Sequence, residues 1–90
     1  MTEDLTCLKN IGPASARQLR EVGIENEGSL RKLGALGAYL RLKHAFPREV
    51  TILMLYALEG ALRGRHWNRL PPGVKKKLKN SAKSAPNAVR

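Results

Sequence analysis

The side chains with the clearest chemical potential are basic and lie late in the chain: Arg63, Arg65, Arg69, Lys75, Lys76 and Lys77. Lys and Arg at this density suit a polyanion, because each phosphate they neutralise releases condensed counterions. Residues 61–90 hold nine basic and no acidic side chains, and residues 1–60 hold eight basic and seven acidic ones, so +9 of the +10 net charge is C-terminal. A charge run is also the ordinary composition of a solvated segment, and at this point both readings stand. No helix combines Arg, Asn and Gln at the spacing with which a recognition helix reads base edges, so any sequence preference should be weak.

Catalytic chemistry is not evident. His44 and His66 have no carboxylate motif beside them, and no Ser, Cys or Glu is arranged as nucleophile and base, so a non-enzymatic protein is expected. The single cysteine, Cys7, cannot form an internal disulfide and cannot build a zinc site with two distant histidines; it reads as a buried, inert thiol. Gly34, Ala35, Gly37 and Ala38 lack the spacing of a dinucleotide or phosphate loop and suit close helix approach instead. No cofactor or metal is expected. Trp67 has two readings: a lid anchoring the C-terminal segment on the core, or an exposed indole able to stack on a base. His66 beside it reads as a partly buried structural neighbour.

The elements that carry these residues follow from composition and periodicity. Ninety residues support one core, and an aromatic share of 4% leaves Leu, Ile, Val and Ala to fill it, which suits helices. An all-α fold of five or six short helices is expected, with no internal repeat. Leu5, Leu8 and Ile11, then Ala16, Leu19 and Val22, read as a helical hairpin, with Gly12 taking the turn's unusual backbone angles, Pro13 opening the second helix and Gly23 capping it. Asn26 caps a short helix that Gly34 ends, and Leu36, Tyr39 and Leu40 lie on one face of another.

Pro47 opens a segment running to Leu62 with almost no polar face, predicting a central helix with Leu53, Leu55 and Leu58 among its most buried side chains. Its one acid past the first turn, Glu59, is read as an exposed edge rather than a paired, partly buried group. Gly64 stops that helix, and Val74 and Leu78 among lysines predict a last basic helix starting near Pro72. Residues 80–90, rich in Ser, Ala, Lys and Pro, are expected to form a basic disordered tail behind a domain at 1–79. No membrane span or signal pattern is present, which predicts a soluble, cytoplasmic protein.

Two stretches resemble the C-terminal domain of the TfoX (Sxy) family of bacterial competence regulators. One runs from Leu8 through Asn10, Ile11, Gly12 and Pro13 to Leu19, followed by Val22-Gly23-Ile24; the other is Leu55-Tyr56-Ala57-Leu58-Glu59-Gly60-Ala61-Leu62 with Gly64, His66-Trp67 and Leu70-Pro71. The resemblance implies a compact helical domain related to helix-hairpin-helix modules, in proteins that help switch on genes for DNA uptake. Family members commonly carry another domain before this one, so the chain is expected to be either a stand-alone homologue or a fragment. In a helix-hairpin-helix the turn presents backbone N–H groups to a DNA phosphate. The corresponding residues are Asn10, Ile11 and Gly12, with Asn in place of the first glycine. The implied partner is DNA, held through its phosphates. The alternative is a protein-interaction module docking on a transcription factor, RNA polymerase or another copy of itself.

Overall fold

The computed structural model describes Leu5 and residues 8–84, and contains four α-helices and no strand among them. The helices are α1 (Pro13–Glu21), α2 (Glu27–Ala45), α3 (Ile52–Arg63) and α4 (Pro72–Ser84), with a 3-10 turn at Trp67–Arg69 between the last two. The expected five or six short helices reduce to four for two reasons: the first arm expected for the N-terminal hairpin is not a helix, since Leu8, Lys9 and Asn10 form a bend and a turn, and the segments on either side of Gly34 form one element. Gly34 nonetheless sits in it at φ 85 and ψ 162, a conformation open only to glycine, so the break lies where the sequence puts it but is absorbed as a kink.

Helix ends follow the local chemistry. Gly23, at φ 88, closes α1: its N–H donates to Arg20 O (3.0 Å) and the Ile24 N–H to Leu19 O (2.9 Å), which drives Ile24 into the core. The Asn26 side chain accepts from Ser29 N–H (2.9 Å) at the start of α2. Gly64, at φ 70, ends α3, and the next N–H, of Arg65, returns to Gly60 O (2.8 Å). Pro47 does not open α3. Residues 47–49 form a turn closed by the Val50 N–H on Phe46 O (3.0 Å) and tied by Lys43 Nζ, which donates to Pro47 O (2.9 Å) and Val50 O (2.8 Å).

Leu55 and Leu58 of α3 are wholly buried, and Leu19, Leu30, Leu42 and Leu5 meet them in one apolar cluster. Leu53 is a correction: it is 50% exposed. A helix has room for one inward stripe, and residues 55, 58 and 61 occupy it, which turns position 53 outward. Glu59 is also corrected. Its carboxylate pairs with Arg63 at 2.6 Å, with 21% of the Glu59 side chain exposed, so it is the partly buried, paired acid. The helix expected near Pro72 is present but runs on to Ser84, and Ala82 packs against the core, so residues 80–84 are not tail. Cys7 and residues 85–90 lie outside the described residues. None of the described helices is long and apolar enough to cross a membrane.

Candidate nucleic-acid interface

The N-terminal turn and the C-terminal basic segment are far apart in sequence and adjacent in space. Asn10 joins them. Its amide nitrogen donates to Arg65 O (2.9 Å) and Ala57 O (3.2 Å), and its amide oxygen accepts from Trp67 N–H (3.2 Å). Asn10 adopts φ 70, the left-handed region that Asn reaches more readily than most residues. Gly12, expected to hold the unusual angles, is instead extended at φ -91 and ψ -177 and serves as the α1 N-cap. The reason is positional: the chain must reverse at residue 10 to lay the Asn10 amide across the end of α3.

Gly60 makes this approach possible. A Cβ there would lie 2.7 Å from Arg65 O, 2.7 Å from Asn10 Nδ2 and 3.2 Å from Trp67 Cα, so a side chain would push the clasp apart. The three residues proposed for phosphate contact in the turn therefore differ in availability. The Asn10 side chain is committed to the clasp, Ile11 is 4% exposed and part of the core, and Gly12 is exposed.

The basic residues divide in the same way. Arg63 is held by Glu59. Lys75 places Nζ 5.3 Å from the Trp67 ring centroid, a cation–π contact that seats α4 against the 3-10 turn. Lys76 and Lys77 are exposed on the outer face of α4, opposite the partly buried Val74 and Leu78. Arg65 and Arg69 are exposed, and with Lys9, Gly64 and His66 they line an open depression of about 540 Å³. Other cations are spent on structure: Arg31 pairs with Glu27 (2.7 Å) and donates to Leu62 O (3.2 Å), and Arg41 donates to Val22 O (3.3 Å). Among the described residues Lys9, Arg65 and Arg69 are paired with no acid, and three like charges lining one hollow form a local field suited to an anion.

Trp67 is partly buried, with the His66 ring 6.0 Å away between centroids and 29° from parallel, so the lid reading describes how it sits. His66 is exposed rather than partly buried; its Nδ1 lies 2.7 Å from Asn68 Oδ1 and caps the 3-10 turn. A second hollow of about 360 Å³ shares His66 with the first and is lined by Leu53, Met54, Ala57 and Trp67 together with Asn10 and Ser15, with the exposed Glu49 and Thr51 at its rim. Sequence reasoning missed Lys9 and this groove. Lys9 is one lysine in a near-neutral half of the chain, and only the Asn10 clasp brings it to Arg65. Among the described residues no group of three His, Cys, Asp or Glu side chains is placed to hold a metal.

Comparison with known proteins agrees with this architecture. A Listeria monocytogenes protein of unknown function, solved in a triclinic crystal form, is 33% identical, superposes with a TM-score of 0.85, and is matched over 93% of this chain and 94% of its own. A tetragonal-form structure of a Listeria monocytogenes protein of unknown function is 35% identical with a TM-score of 0.83, over 89% of this chain and 98% of that one. No curated protein matches. The TfoX C-terminal domain matches residues 1–82, and the chain belongs to that family.

Proposed function

We propose that this domain is a non-enzymatic regulatory module of DNA-uptake control that holds DNA through its phosphates with weak sequence preference. The observation that carries the reading is the depression where Lys9, Arg65 and Arg69 converge. Lys76 and Lys77 on α4 extend the charge, and the exposed Gly12 lies near the same turn. Family membership supplies the regulatory context.

Arg63 contributes less than its sequence position suggests, since its charge is neutralised by Glu59. Asn10 and Ile11 act by holding the turn rather than by touching phosphate. The exposed Leu53 favours a second reading, docking on a transcription factor, RNA polymerase or a second copy. Titration of a fluorescent duplex at a series of salt concentrations separates the two. Phosphate contact weakens steeply with salt and varies little between unrelated duplex sequences, whereas an apolar protein interface is insensitive to salt. Absence of duplex binding at low salt would remove the phosphate reading.

A further inference from the structure

Two hollows meet at His66. One carries the cations Lys9, Arg65 and Arg69; the other includes Leu53, Met54 and Ala57 in its lining. Leu53 is the one large hydrophobic side chain left exposed among the described residues, on a helix whose other leucines are buried or partly buried. A cationic hollow joined to an apolar one matches a ligand whose charge and whose flat apolar surface are one nucleotide apart. We infer that the groove receives an unstacked nucleobase while the adjoining cations hold its phosphate, so that this face prefers single-stranded nucleic acid. The inference rests on the phosphate reading above.

The groove's chemistry favours a base over other occupants. Trp67 forms a wall rather than the platform, because Lys75 and His66 already lie against its ring. A base therefore rests on Leu53 and Met54, with the exposed imidazole of His66 beside it. Glu49, whose carboxylate accepts from Gln18 Nε2 (3.2 Å), stands at the rim and can only accept. It suits the exocyclic amino group of cytosine, adenine or guanine, which thymine lacks. A carboxylate at this rim opposes a phosphate or an acidic peptide, which places the anion in the other hollow. A second copy of the chain would set one +10 molecule against another. Charge alone cannot produce the preference, since duplex DNA carries the denser phosphates; a single-strand preference must come from the groove.

The test compares a fluorescein-labelled oligodeoxycytidylate of about 12 nucleotides, within the usual site size of single-strand binders, with a duplex of the same length at low salt. Anisotropy is read beside the fluorescence of Trp67, the sole tryptophan. The single strand is expected to bind more tightly and to change the Trp67 signal. Leu53→Ser should weaken it by about 5-fold or more, since it removes apolar surface that the base would cover, and leave duplex affinity and the circular dichroism spectrum unchanged. Glu49→Gln should reduce the preference for oligodeoxycytidylate over oligothymidylate. Equal loss of both nucleic acids on Leu53→Ser, or an unchanged single-strand to duplex ratio, overturns the inference and leaves the phosphate reading standing. Loss of an acidic leucine-bearing peptide on Leu53→Ser, with oligonucleotide affinity unchanged, overturns it in favour of protein docking. Failure of both nucleic acids to bind overturns both readings.

Discussion

Removing the Asn10 side chain should loosen the domain more than any other change at its exposed turns. Asn10→Gly deletes hydrogen bonds of 2.9, 3.2 and 3.2 Å that join the turn to Arg65, Ala57 and Trp67. A net hydrogen bond contributes about 1 kcal/mol, and one of these is solvent-exposed, so a cost of about 2 kcal/mol is expected. Glycine's own backbone effects oppose each other, since it reaches φ 70 easily but loses more freedom on folding. Asn10→Ala should cost roughly 1 kcal/mol more than Asn10→Gly, because alanine must be forced into the left-handed region. Gly12→Ala is the control. Gly12 is extended and nothing lies within 4 Å of an added Cβ, so it should change stability by less than about 0.5 kcal/mol. Urea unfolding followed by Trp67 fluorescence reads all three, and thermal melting should show Asn10→Gly lower by about 8–16 °C at this chain length. A near-neutral Asn10→Gly, or an Asn10→Ala no worse than Asn10→Gly, would refute the clasp.

Three further outcomes follow from packing and burial. Gly60→Ala should destabilise by about 1–3 kcal/mol through its 2.7 Å clash with Arg65 O, although Ala is the better helix former; chemical denaturation reads it. Leu58→Ala, at a wholly buried site, should cost roughly 2–5 kcal/mol, whereas Leu53→Ala, half exposed, should cost under about 1 kcal/mol. Burial pushes the Tyr39 hydroxyl above the 10.0 of a free tyrosine. Its folded value is raised, so its contribution to stability is intact below that pH and is lost as pH rises beyond it; urea midpoints at increasing alkaline pH should fall, and fall less in Tyr39→Phe.

The helix caps were legible because their chemistry is local. Gly23, Asn26, Gly64 and Pro72 each act within a few residues of themselves, and each ends or opens a helix as its type suggests. Leu55 and Leu58 were legible as core by apolar content, but Leu53 was not separable from them. An almost uninterrupted apolar run carries no phase, and only the packing of α2 and α4 against α3 decides which stripe faces inward. The charge excess was visible, but not which of its cations is paired within the fold and which line one depression. Glu59 neutralises Arg63 within the helix, while Lys9 reaches Arg65 through an asparagine 55 residues away. The reversal at Asn10 was legible in principle, since Asn enters the left-handed region more readily than most residues, but a glycine two positions on offered the same freedom.

On the proposed function, Lys9, Arg65 and Arg69 act together on phosphate. The measurement is the slope of log affinity for duplex DNA against log salt, for the wild type and for Lys9→Ala/Arg65→Ala/Arg69→Ala, with folding verified by circular dichroism and melting temperature. All three side chains are exposed, so the variant should fold. Each phosphate contact contributes about 0.9 to the slope, so a fall of up to about 2.7 is predicted, with weaker binding across unrelated sequences. A folded variant with the wild-type slope and affinity would show that these three side chains do not hold phosphate.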